Sequence, residues 1–133
     1  MSDTTSISWD DLPNFAPHEF DSPDQLGSSE NMDPDFLKDL QRARTYSGVA
    51  YVITSGFRTA SYHRRLGAQG YPTTRNSAHL LGLAADIAAS DSTTRAYILA
   101  GLIEAGFERI GIGQTFIHVD QHPTKKRPSV WVY

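Results

Sequence analysis

Between Leu83 and Ala88 the chain reads Leu-Ala-Ala-Asp-Ile-Ala, a strand-length apolar run with one carboxylate inside it. The two-residue period of a strand puts Ala84, Asp86 and Ala88 on one face. An unpartnered carboxylate in such a strand is costly, so the fold must set a metal ion or a cation beside Asp86, an arginine being the plain alternative. A second segment, Phe116-Ile117-His118-Val119-Asp120, alternates in the same way. His118 and Asp120 share one face, while Ile117 and Val119 turn to the core.

If these two segments are neighbouring strands, Asp86 and His118 lie within cross-strand reach, and His79 folds over from the loop before the first strand. Taken singly, each histidine reads as a hydrogen-bonded structural residue. Grouped with Asp86, they match a catalytic zinc, which takes three nitrogen or oxygen ligands at about 2.0 to 2.2 Å and keeps a fourth place for water. The sequence has no cysteine, so a metal site has to be built from histidine and carboxylate.

The remaining punctuation predicts the elements that carry these residues. Residues 1–32, rich in Ser, Asp, Pro and Asn, read as an irregular arm pinned by Trp9, Leu12, Phe15 and Phe20. Asp33 caps a helix with Pro34 in its first position. Phe36, Leu37, Leu40, Ala43 and Arg44 follow at helical spacing, and Gly48 ends it. Val49 to Thr54 is predicted as a buried strand leading to a loop that bears Arg58. Residues 60–67 suit a short helix, and 67–77, with Gly70, Pro72 and Asn76, an exposed loop. A second long helix is expected over about Ser92 to Ala105 with Gly106 as its terminator. Arg109 to Ile112 and Phe116 to Asp120 pair as strands, and Ser129 to Tyr133 adds an edge strand where Trp131 and Tyr133 pack or line a groove. The fold class expected is α+β, a small single domain over 1–133 with a largely antiparallel sheet packed by helices.

Composition narrows the function classes. The chain has 133 residues with 39% hydrophobic and 20% charged residues, which suits one folded domain with an ordered core. A net charge of -3 argues against nucleic-acid binding, and Lys125-Lys126-Arg127 reads as a solvated loop. No apolar run is long enough to cross a membrane, and the N-terminus lacks an export signal. The expectation is a monomer, cytoplasmic at synthesis, with no nucleic-acid or membrane partner.

Four segments carry a family likeness: Ser55-Gly56-Phe57-Arg58-Thr59, Ser77-x-His79-x-x-Gly82-x-Ala84-x-Asp86-Ile87, Gly111-Ile112-Gly113, and Phe116-Ile117-His118-Val119-Asp120. Over about Phe15 to Tyr133 the chain resembles the M15 zinc D-Ala-D-Ala carboxypeptidase and endolysin family. That resemblance implies a hedgehog/DD-peptidase-like fold and a zinc peptidase acting on peptidoglycan stem peptides, as carboxypeptidase or endopeptidase. A phage or prophage endolysin reaching the wall after release is the setting it implies, and a non-catalytic wall-binding or phage structural module is the alternative. It also implies Zn2+ ligation by His79, Asp86 and His118, and substrate contacts from Arg58 and Ser77. A guanidinium fork matches a substrate carboxylate, though a loop arginine salt-bridged to an acid fits Arg58 equally on sequence alone. Gly56 is expected to let the backbone turn sharply ahead of it. Several members place an acidic residue three positions before the last histidine ligand, where this chain has Thr115. Asp120 is the candidate general base, with orientation of His118 as its other possible role. His122 could share the proton work, but Pro123 after it points to solvent exposure.

Overall fold

The computed structural model describes residues 6–71 and 73–133, so the first five residues of the arm and Pro72 of the predicted loop lie outside the described residues. Among the described residues, three α-helices and five strands form an α+β domain. The helices are α1 (Pro34–Ser47), α2 (Ala60–Ala68) and α3 (Ser92–Glu104), and the strands are β1 (Ile53–Ser55), β2 (Ala84–Ala88), β3 (Arg109–Ile112), β4 (Phe116–Asp120) and β5 (Ser129–Val132). The sheet order is β1-β2-β4-β3-β5, antiparallel throughout except for the parallel pair of β3 and β5. None of the described helices is long and apolar enough to cross a membrane.

Local chemistry starts and stops α1 as the sequence predicts. The Asp33 side chain accepts from the Phe36 amide at 2.9 Å, Pro34 opens α1, and Gly48 closes it at φ +70. Asp91 caps α3 in the same way through Thr94. The two long helices pack against each other closely because Gly101 has no side chain to meet Ser47 Oγ and the Ala43 carbonyl. Phe36, Leu37, Leu40, Ile98 and Leu102 join Ile87, Ile110, Ile117 and Val119 in one buried cluster on one side of the sheet. The alternate positions Asp86, His118 and Asp120 therefore face the other side.

The arm is packed, as its aromatic residues suggested. Phe15 and Phe20 are buried with ring centroids 5.4 Å apart, and Trp9 lies 5.9 Å from Phe20. Its backbone is not irregular throughout but forms three short 3-10 helices, Trp9–Asp11, Pro17–Phe20 and Ser28–Asn31. The first predicted strand is also shorter than expected, beginning at Ile53. Tyr51 turns its ring into the core and shares a hydrogen bond with Ser47 Oγ at 2.6 Å, and the β1-β2 register shifts between Ile53 and Ser55.

Two glycines bind the arm to the site. Gly56 has no left-handed φ, so the sharp turn expected there is not what requires glycine; a Cβ would sit 2.7 Å from Phe20 Cα, and close approach does. Gly82 has φ +71, and a Cβ would fall 2.0 Å from the Asn31 carbonyl oxygen. Gly82→Ala is expected to lower stability by about 2 kcal/mol, read as a shifted urea midpoint with an unchanged slope.

Candidate metal centre

Three separate backbone devices bring His79, Asp86 and His118 together. His79 sits in a 3-10 helix, Ala78–Leu81, whose first turn is capped by Ser77 Oγ accepting from the His79 amide at 3.2 Å. Asp86 is the central residue of β2, and strand register sets it opposite His118 on β4. One ligand atom from each residue lies within 4.8 Å of the others.

The orientation of the rings is fixed from behind. His79 Nδ1 lies 2.8 Å from the Gly56 carbonyl, which can only accept, so that nitrogen carries the proton and Nε2 turns a lone pair inward. His118 Nε2 lies 2.7 Å from Asp120 Oδ2, so the carboxylate claims a proton there and leaves Nδ1 facing the centre. Both inward nitrogens converge on Asp86 Oδ1, His79 Nε2 at 3.3 Å and His118 Nδ1 at 2.9 Å. Two imidazole nitrogens and a carboxylate oxygen, each imidazole braced through its far nitrogen, make a donor set suited to a borderline divalent cation such as zinc.

Electrostatics prepare the trio for a cation. Burial alone would raise the Asp86 pKa, but the hydrogen bond and charge of His118 beside it hold the carboxyl below its usual range. Burial pulls His79 down and so favours its neutral form. His118 is also penalised by burial, yet hydrogen bonds to Asp120 and Asp86 raise it above the usual histidine value. A cation binding here therefore takes the place of a proton on His118.

The other predicted residues occupy distinct places. Arg58 is largely buried at the rim, its Nε donating to Ser55 Oγ at 3.0 Å and its Nη2 standing 3.4 Å from Asp86 Oδ2. Asp86 thus meets an arginine as well as two imidazoles placed to share a metal ion with it. Ser77 is buried and spends its hydroxyl on the His79 amide. Asp120, 3% exposed, uses Oδ1 to accept from Arg109 Nε at 2.7 Å and the His122 amide at 2.9 Å, and Oδ2 for His118. His122 is buried rather than exposed, because Nδ1 accepts from the Thr124 amide and the chain folds back over it through Arg127 Nη2 on its carbonyl. Burial lowers its pKa.

Two further residues escaped the sequence reading. His63 is buried, with Nε2 donating to the Thr74 carbonyl at 2.6 Å and Nδ1 3.4 Å from Arg58 Nη1, so it braces the arginine. Nothing in its sequence neighbourhood signals this. Arg109, buried beside Asp120, follows from the strand register: with β3 and β4 pairing Ile110 to Val119 and Gly111 to His118, the next position sets Arg109 opposite Asp120.

Fold and cluster together define a small α+β domain with a three-ligand candidate metal centre on the face of its sheet opposite the core packed by α1 and α3. The sequence profile described as Peptidase M15 matches residues 14–120, and the chain belongs to that peptidase family. No curated protein matches it.

Proposed function

We propose that the protein is a zinc-dependent peptidase that hydrolyses peptide bonds in peptidoglycan stem peptides, with a phage or prophage endolysin as its setting. The observation that carries the reading is the inward convergence of His79 Nε2, Asp86 Oδ1 and His118 Nδ1, each imidazole locked through its outer nitrogen. His79, Asp86 and His118 would hold a zinc ion, which would supply Lewis-acid chemistry at the scissile carbonyl. Arg58 presents its guanidinium beside this centre and holds a substrate carboxylate through paired hydrogen bonds. Asp120 acts through His118: with both oxygens engaged inside the protein, it fixes the ring and keeps the proton on Nε2. Ser77 likewise acts by seating His79.

Mass spectrometry of peptidoglycan fragments, with and without a chelator, tests the reading. New amines and carboxylates should form with the zinc-loaded protein, stop on chelation and return on adding zinc. No products from zinc-loaded protein would leave a wall-binding module as the better description. Zinc affinity should also depend on pH. His118 is held protonated to a higher pH than an ordinary histidine, so affinity rises with pH until that raised pKa is passed and then levels. Competition with a chromophoric chelator across pH checks the sign.

A further inference from the structure

The row of residues that carries the ligands continues past them. Register aligns Ser55 with Asp86, Asp86 with His118, His118 with Gly111, and Gly111 with Trp131, one transverse line across all five strands. Different chemistries stand at its ends, Arg58 bonded to Ser55 at one and an aromatic group at the other. Gly111 lets that far end reach the centre. A Cβ there would lie 2.7 Å from Trp131 Cε2 and Nε1 and 2.8 Å from Tyr133 Cε2. Its absence lets both rings lie over β3, so the Trp131 centroid comes within 5.7 Å of the His118 ring. Their strands are two spacings of about 4.8 Å apart. Arg109 stacks on the Trp131 ring at 4.8 Å and clamps it. Tyr133 extends the wall, 6.4 Å from Trp131 and 5.1 Å from Phe116, and remains 56% exposed.

We propose that Tyr133 and Trp131, seated on Gly111, form a binding shelf for an aliphatic C–H face of the substrate, on the side of the scissile bond away from the carboxylate held by Arg58. This rests on the peptidase reading above. A substrate with its carboxylate on Arg58 and its carbonyl at the ligand trio has to continue along the row toward β5. There it meets ring faces, which favour C–H groups over charge. In a wall peptide that face is an alanyl methyl or the pyranose ring of the attached glycan, one chemistry from two sources.

Steady-state kinetics on two substrates, a stem peptide alone and the same peptide carrying its disaccharide, tests the shelf. Tyr133→Ala should raise KM about fivefold while kcat and bound zinc hold, and Tyr133→Phe should restore KM. Val132→Ala, on the exposed opposite face of β5, should change nothing. An effect on both substrates assigns the methyl as occupant, and an effect on the disaccharide substrate alone assigns the sugar ring. An unchanged KM in Tyr133→Ala on both substrates overturns the proposal, as does Tyr133→Phe failing like Tyr133→Ala, which would make the hydroxyl the contact. If zinc-loaded unmodified protein never turns over, the peptidase reading fails by itself and the same variants are compared by calorimetric binding of the two peptides. Weaker binding by Tyr133→Ala then keeps the shelf, and equal or absent binding removes it.

Discussion

Replacing Asp86 by alanine should abolish zinc-dependent peptide hydrolysis, with kcat/KM falling roughly a thousandfold or more, since a Lewis acid at the carbonyl is worth several kcal/mol. The side chain touches every part of the centre: Oδ1 meets both inward imidazole nitrogens and Oδ2 faces Arg58. Without it, two imidazoles remain to hold a cation that takes three protein ligands in a catalytic site. The loss is readable without activity. Ligand that binds only the folded protein adds about 2.7 kcal/mol of stability at a hundred times its dissociation constant, so zinc should raise the melting temperature of the unmodified protein and leave that of Asp86→Ala unmoved. A zinc-induced shift of equal size in the variant would remove Asp86 from the ligand set. Asp86→Asn is the sharper comparison, because it keeps the shape while withdrawing the charge that compensates the cation.

The parts of this site that the sequence reveals are those governed by local periodicity. Asp86 inside an apolar strand and His118 two positions from Asp120 are legible because alternation assigns faces without knowledge of partners. The capped start of α1 at Asp33 and Pro34 is legible for the same reason: its chemistry lies within one turn. What escapes depends on contacts between distant segments. Gly56 is a glycine because Phe20 of the arm passes against it, and Gly82 meets Asn31 in addition to its left-handed φ; no local rule brings the arm there. His122 looked exposed beside Pro123, yet the turn through Thr124 and Arg127 buries it. Asp120 is the intermediate case. Its face was predictable, but that both its oxygens are engaged depends on Arg109 across the hairpin.

Arg109→Met should cost the fold about 3 to 5 kcal/mol, because it strands a carboxylate in a buried site. Arg109 and Asp120 side chains are 10% and 4% exposed, and the guanidinium also donates to the Lys126 carbonyl and stacks on Trp131. For a domain of this size the loss corresponds to a melting temperature lower by roughly 10 to 20 °C. The pair is a poor source of stability in itself, since a matched apolar pair can replace a buried ion pair at little or no cost. The double variant Arg109→Met/Asp120→Leu should therefore recover most of the melting temperature. Zinc affinity should not recover with it. His118 has then lost the carboxylate that orients its ring and claims its Nε2 proton, and such supports are worth about 10- to 100-fold in metal affinity. Separation of the two readouts distinguishes a positioning role for Asp120 from a purely structural one. A double variant that binds zinc as tightly as the unmodified protein would show that His118 is held by its strand alone.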